Sequence, residues 1–376
     1  MQDLGTVGGL CVLLVALQGC GRVVNDVDAH AGAGGVDATG GNAAGGVRIG
    51  PAGAGGEATS PAGSAGAAGA ANAVVETTDP KGRLILNQQV DWLVVDESRL
   101  YWLTEPAGIS GCMKEQCGET VLRYSPDATS FPAIGKDHVY WYAPTVSTST
   151  GGAVSCPKTG CTDVPFALGA PYFRSAADGD FLYFQYANGI ARCSYAGCGD
   201  EPQLVVQNET FRADQIKPIR FQGAYAYWLD ASAVRRALKD GGSGPAQTLA
   251  VGPAKGVFDV SSRGVFWLDA SERILSCPLT GCGDQSPTVV YANASPKGYL
   301  RADDLGVYWK EDDAVHFCAA EGCTTPQVLT TSNVIGFDID DRFVYWNHTA
   351  DAESPPLGTG IGTTIRRVLK PGASAP

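Results

Sequence analysis

From about residue 84 onward, apolar and polar residues alternate in short runs separated by turn-forming residues. One stretch shows the whole unit. It runs Gly256-Val257-Phe258-Asp259-Val260, a turn at 261–264, Val265-Phe266-Trp267-Leu268, a turn at 269–272, Arg273-Ile274-Leu275-Ser276-Cys277, and, after 278–283, Thr288-Val289-Val290-Tyr291. Four β-rich runs punctuated in this way predict one small antiparallel sheet. Its second strand carries an apolar residue followed by two aromatics, and the chain repeats that signature seven times: Leu100-Tyr101-Trp102, Val139-Tyr140-Trp141, Leu182-Tyr183-Phe184, Ala226-Tyr227-Trp228, Val265-Phe266-Trp267, Val307-Tyr308-Trp309 and Val344-Tyr345-Trp346. The final aromatics lie 39, 43, 44, 39, 42 and 37 residues apart, which suits one four-stranded blade per repeat. The pattern predicts an all-β fold, a seven-bladed β-propeller, with the aromatics packing blade against blade.

The seventh unit stops after its third strand, Thr364-Ile365-Arg366-Arg367-Val368. Arg83-Leu84-Ile85-Leu86, ahead of the first inner strand, reads as an outer strand without a blade. Pairing the two would close the ring and leave no open sheet edge. The predicted propeller spans 81–370, followed by a short tail at 371–376. Residues 20–80 are dominated by Gly and Ala and nearly lack aromatics and large aliphatics. Such a segment cannot offset its ordering entropy by burial, and predicts a disordered tether with a root-mean-square reach of roughly 40 Å.

The aromatic pair resembles the YWTD repeats of low-density-lipoprotein-receptor-type propellers over roughly residues 84–370. The Thr-Asp half is absent; its nearest forms are Trp228-Leu229-Asp230 and Trp267-Leu268-Asp269, and that family has six blades rather than seven. At the other end, residues 4–19 form an apolar stretch too short to span a bilayer and end in Leu17-Gln18-Gly19-Cys20. That ending resembles a bacterial lipobox. The resemblance implies a signal peptide over 1–19, cleavage before Cys20, a diacylglyceryl group on its thiol and, because Gly21 rather than Asp follows, sorting to the outer membrane of a Gram-negative cell. An ordinary signal peptide beside an unrelated cysteine is the other reading.

Ten further cysteines form five pairs at one spacing: Cys112/Cys117, Cys156/Cys161, Cys193/Cys198, Cys277/Cys282 and Cys318/Cys323. The repeat predicts a Gly-containing turn inside each bracket, between third and fourth strands, with the two cysteines facing each other across a hairpin. An exported chain meets an oxidising compartment, so five local disulfides are expected. A zinc site is not, because pairs on separate blades cannot converge on one ion. The fourth and seventh units replace the pair by Lys239-Asp240-Gly241-Gly242 and Lys370-Pro371-Gly372.

Net charge is −12, and −11 without residues 1–19, which contribute Asp3. With no basic run, nucleic acid is excluded as a partner and membrane attachment is left to the lipid. Aligning inner strands eight residues before each final aromatic, with a two-residue insertion allowed in the third unit, gives Val94, Ala133, Arg174, Arg220, Asp259, Arg301 and Asp338. Flanking apolar residues turn the charged side chains toward the channel or a neighbouring blade. Two readings follow: an inter-blade ion-pair network, or an anion site at Arg174, which has no acidic neighbour in the second unit. His138, His316 and His348 fall on different units, His30 lies in the tether, and no catalytic order, cofactor motif or metal-spaced pair stands out. The acidic clusters Asp303-Asp304, Glu311-Asp312-Asp313 and Asp340-Asp341 fall at turns. Length variation concentrates on one face, at 142–152, 208–217 and 347–362. The expectation is therefore a monomeric envelope propeller without cofactor or metal that binds a protein, peptide or glycan partner through that long-loop face. The alternatives are a propeller lyase or hydrolase working at the channel mouth, and a structural envelope protein.

Overall fold

The structure, a computed structural model, describes residues 81–376 except 88–89, 105–107, 127, 129, 144–151, 162–165, 168–174, 187–188, 199–200, 210–218, 231, 242–243, 252–253, 297, 331–332, 350–362 and 374–376. The signal, Cys20 and the 20–80 segment thus lie outside the described residues. Among the described residues, twenty-eight strands assemble into seven four-stranded antiparallel sheets, six of them ordered from first to last strand of their unit. Blades one to six span 92–125, 133–167, 176–207, 219–251, 254–291 and 300–328. Blade seven takes Val334–Ile339, Phe343–Thr349 and Thr363–Leu369, and its fourth strand is Arg83–Asn87 from the other end of the propeller, paired as Arg83↔Arg367 and Asn87↔Thr364. The ring closes as the orphan strand predicts.

The repeated aromatics lie on strands buried on both faces; Gly264–Asp269 is buried at all six positions. Seven hydrophobic clusters fill the seven inter-blade gaps, and each joins the first aromatic of one blade to the second of the next. Tyr101 packs with Trp141, Tyr140 with Phe184, Tyr183 with Trp228, Tyr227 with Trp267, Phe266 with Trp309, Tyr308 with Trp346, and Tyr345 with Trp102. The last of these sits across the closure and includes Leu86 and Ile365. Alternation along a strand sends successive side chains to opposite faces, so an aromatic dipeptide serves both neighbours at once.

On the face carrying the turns between first and second strands, a polar clasp repeats. Asp96 Oδ1 accepts from the Ser98 and Arg99 amides, and Oδ2 accepts from Tyr101 Oη (3.0 Å) and from Lys158 Nζ of blade two (2.5 Å). Asp340 repeats this with Arg342, Phe343, Tyr345 and Lys114 of blade one. Asp303 does so with Leu305, Gly306, Tyr308 and Lys370 of blade seven, and Asp178 pairs with Lys239 of blade four. Each lysine follows the third strand of its own blade and reaches back one blade. Where that position lacks lysine, as at Tyr195, Leu279 and Ala320, the preceding blade lacks the aspartate and has Gly135, Gln222 or Ser261. At Gly135 an added Cβ would stand 2.8 Å from Gly179 O and 2.9 Å from the Tyr140 ring, so no aspartate fits. The Asp303 and Asp340 turns are thus partnered by lysines of the next blade rather than simply solvated.

All five disulfides are present at the predicted pairs. Cα–Cα distances are 4.9 Å for Cys112–Cys117, 5.4 Å for Cys156–Cys161, 4.6 Å for Cys193–Cys198, 5.2 Å for Cys277–Cys282 and 5.6 Å for Cys318–Cys323. Two features of the expected hairpin need correction. The partners do not face each other across strands, because Cys117 and Cys198 lie inside the turn, ahead of the fourth strands that begin at Leu122 and Gln203. At Cys198 the bridge caps a one-turn loop, closed by the Gly197 amide on Ser194 O (3.0 Å) with Gly197 at φ 107°. Nor does every turn contain glycine. Gln116 stands before Cys117 where Gly160, Gly197, Gly281 and Gly322 stand before their cysteines, and those four glycines have positive φ while Gln116 does not. The turn at Cys117 instead closes with the Gln116 amide on Met113 O (3.2 Å) and runs on into bonds from the Glu119 and Thr120 amides to Gln116 O, so no left-handed residue is required. Cys117 is buried there against Leu100 and Trp102.

The bridged turns also reach further than their own blade. The Cys282 amide donates to Leu249 O of blade four (2.9 Å) and the Cys323 amide to Val290 O of blade five (3.0 Å), which fastens each turn to the preceding blade.

Candidate functional site

The inner strands line the channel, and strand pairing fixes which residue faces it. Val94, Ala133, Arg220, Asp259, Arg301 and Asp338 stand opposite the first aromatics Tyr101, Tyr140, Tyr227, Phe266, Tyr308 and Tyr345. In blade three the residue opposite Tyr183 is Ala176, not Arg174. The turn there is as short as in the other blades, with Asp178 opposite Phe181, so no insertion shifts the strand. Arg174 lies outside the described residues.

The four charged side chains form two pairs. Arg220 Nε donates to Asp259 Oδ1 (2.8 Å) and Arg301 Nε to Asp338 Oδ1 (2.5 Å), while each Nη1 bonds the carbonyl of the preceding residue, Ile219 or Leu300. The second carboxylate oxygens accept backbone amides of the next blade, Ala302 for Asp259 and Val95 for Asp338. Blades four to seven and blade one are thereby linked through buried ion pairs. Burial pulls Arg220 below the ordinary arginine value against the opposing pull of Asp259 and with help from the nearby Arg301. Burial acts on Arg301 too, yet Asp338 and Asp259 together leave it raised. Two cations and two anions so placed form a neutral wall.

Among the described residues, blades one to three offer only Val94, Ala133 and Ala176 at the same level, so the described side chains fill the channel on one side and leave it open on the other. A cavity of 490 Å³ follows the open side, from Ser130 and Ser175 at the strand starts to Asp96 and Asp178 at the turns, with the ion pairs as its far wall. Ser175 lies at its edge, with its hydroxyl oxygen closed off from solvent and without a hydrogen-bond partner among the described residues.

Toward the face of the long loops, three half-buried aromatics crowd the channel mouth. Trp92 meets Phe131 edge-on (centroids 3.9 Å, 67°) and Tyr299 of blade six at 5.6 Å. Tyr299 crosses blade seven over Gly336, whose absent Cβ would sit 2.9 Å from its hydroxyl oxygen. These three were not singled out in the sequence, since they stand outside the repeated dipeptides. Of the long loops, 144–151, 210–218 and 350–362 fall outside the described residues.

The described histidines do not converge. His138 stacks on Tyr195 (4.4 Å) with burial lowering its pKa, His316 stacks on Trp309 (5.6 Å), and the fully buried His348 bonds Thr364 and Arg366 through Nε2. No group of three potential metal-ligating residues occurs among the described residues.

No protein-family model and no curated protein matches the chain. Among solved structures it is similar to PorZ, a bacterial surface component of the type-IX secretion system of Porphyromonas gingivalis, with 10% identity and a TM-score of 0.49 over 78% of this chain. The match covers 39% of PorZ, about two-fifths of its length. BamB from Moraxella catarrhalis matches with 12% identity and a TM-score of 0.44, covering 74% of this chain and 82% of that one. The WD40 β-propeller domain of Doa1 matches with 10% identity and a TM-score of 0.47, covering 76% and 96%. Likeness at this level carries no functional argument, and the seven-bladed assignment rests on the strand pairing above.

Proposed function

We propose that the chain is a lipid-anchored propeller of the bacterial cell envelope, held to the outer membrane through Cys20 and a Gly/Ala-rich tether, whose long-loop face binds a protein, peptide or glycan partner. The observation that carries the binding role is the Trp92, Phe131 and Tyr299 cluster at the channel mouth on that face. Half-buried aromatics gathered at one spot supply large contact area for little conformational entropy, and interfaces concentrate their affinity in such residues. The lipobox-like Leu17-Gln18-Gly19-Cys20 and the tether composition support the anchor.

The test is affinity capture from envelope extract with the full chain and with a Trp92→Ala, Phe131→Ala variant whose melting curve matches the parent. A partner retained by the parent and lost by the variant is the expected result; equal retention by both rules out this face. The anchor has its own test. Labelling with radioactive palmitate should mark the parent and not Cys20→Ser, and equal labelling would refute the lipidation.

A further inference from the structure

The channel below the mouth aromatics, which shares Phe131 with them, has a chemistry of its own among the described residues. Its cavity of 490 Å³ falls in the range of small-molecule sites. One wall is apolar and built from Val94, Ala133 and Ala176; the opposite wall is the Arg220–Asp259 and Arg301–Asp338 pairs. Since the ion pairs cancel, a charged ligand would leave water without meeting a counter-charge among the described residues. At the rim, Asp96 and Asp178 are neutralised by Lys158 and Lys239. Within the cavity, the ion-paired side chains of Arg220, Asp259, Arg301 and Asp338 keep a little exposed polar surface that ligand hydroxyls can bond.

A guest for this cavity needs one apolar face, a polar hydroxylated edge, no net charge and a volume near that of one or two hexose rings. We propose that the channel of this propeller binds a neutral sugar residue, with its C–H face on blades one to three and its hydroxyls toward the ion-paired wall. The site stands whether or not the long-loop face has a macromolecular partner.

The experiment is calorimetric titration and saturation-transfer NMR of the full chain with glucose, galactose, N-acetylglucosamine and their methyl glycosides and disaccharides, and with glucuronate and glucosamine as charged counterparts. At least one neutral sugar should bind, with its charged counterpart at least about tenfold weaker because that group is desolvated without compensation. Ala176→Phe fills the apolar side and should abolish binding. Should that variant not fold, Ala176→Leu adds less volume on the same wall and should weaken binding several-fold. A disaccharide that binds as well as its monosaccharide assigns the site to a glycan end, and one that binds worse assigns it to a free sugar; both outcomes support the proposal. It is overturned if no neutral sugar binds at about 10 mM, a concentration that detects even millimolar affinity. Tighter binding of the charged sugars overturns it too, as does unchanged binding by both variants.

Discussion

Blades four and seven lack the disulfide, whereas blades three, five and six have the disulfide but lack the lysine; blades one and two carry both. The turn after the third strand is therefore secured in every blade by a covalent bridge, a lysine reaching the preceding blade, or both. The two devices work through different states of the chain. A disulfide closing a short loop acts mainly by restricting the unfolded ensemble. A clasp such as Lys370 to Asp303 and Asp340 O acts only in the folded ring, because its partners come from more than one blade. A ring that must close on itself thus uses contacts between blades where local covalent constraint is missing.

Blade seven supplies the sharpest test. Lys370 is 1% exposed, its ammonium lies over the Tyr308 ring, and it sits at the closing blade. Replacing it with Met strands the Asp303 carboxylate, and we expect a loss of about 3 kcal/mol in urea unfolding, as for other broken buried pairs. Asp303→Asn added to Lys370→Met should recover part of that loss. In blade four the pair of Lys239 and Asp178 is 23% and 31% exposed, so Lys239→Met should cost less, about 1 kcal/mol or under. Equal costs at the two sites would show that burial does not grade the clasps.

The bridged turns come next. Cys277→Ser with Cys282→Ser should cost about 2 kcal/mol, the chain-entropy value for so short a loop. Because blade five has Leu279 in place of the lysine, no clasp backs up that turn. The same pair of changes at Cys156 and Cys161 relieves the same restriction of the unfolded chain but should cost less in total, since Lys158 still holds its turn to Asp96 in the folded ring whereas the turn at Cys277 can fray. Thermal melts of the two variants would reveal the difference, and identical shifts would break the idea that clasp and bridge substitute for one another.

Acid probes the same clasps from the electrostatic side. Burial pushes the Asp96 and Asp340 carboxyls up, but the hydrogen bonds from Lys158 or Lys114 and from turn amides outweigh it and hold both below the ordinary carboxylate value. A carboxyl depressed on folding contributes stability above its unfolded pKa, and that contribution is lost as pH falls through the folded value. The urea midpoint should thus drop below about pH 4, and Asp96→Asn or Asp340→Asn should flatten the drop while lowering the midpoint at pH 7. An unchanged acid slope in these variants would mean that other carboxylates govern it.

Much of this architecture is legible in the residue pattern, for a physical reason. The second strands are buried on both faces, so their aromatics recur under a strict packing constraint, and the unpaired strand at Arg83–Asn87 has one place to go. The cysteine pairs are legible from spacing alone, but the turn they close is not, since Gln116 before Cys117 and Gly197 before Cys198 reach the same closure by different backbone paths. The inner-strand charges are legible in blades four to seven because strand register carries each position over unchanged. In blade three an insertion allowed by eye moves the position to Arg174, while the tight 179–180 turn keeps it at Ala176. The mouth aromatics are hidden because Trp92, Phe131 and Tyr299 come from separate stretches of chain, and Tyr299 reaches Trp92 over the space that Gly336 leaves open. The clasp leaves a trace in the sequence, a lysine two residues past the first cysteine, or past the Ala237 or Val368 that stands in its place, matched to an aspartate one unit earlier, so it lies in the relation between adjacent units rather than in any one position.

That matching rule yields the finest test, because it can be written into an interface that lacks it. Between blades five and six, Ala320 occupies the lysine position and Ser261 the aspartate position, with Ser261 already 5% exposed and its hydroxyl accepting the Arg263 amide (3.2 Å), as the aspartates accept their turn amides. Ser261→Asp alone buries an unpaired charge, and Ala320→Lys alone brings an ammonium to a site with no carboxylate, so each single change should destabilise or do nothing. Together they should show a favourable coupling of about 0.5–1 kcal/mol in a double-mutant cycle. Phe266 at the tyrosine position withholds the hydroxyl that Tyr101, Tyr308 and Tyr345 supply to their aspartates, which keeps the coupling below that of the native clasps. Phe266→Tyr added to the pair should raise it, and strictly additive effects of Ser261→Asp and Ala320→Lys would mean that the matched lysines and aspartates do not act as interacting pairs.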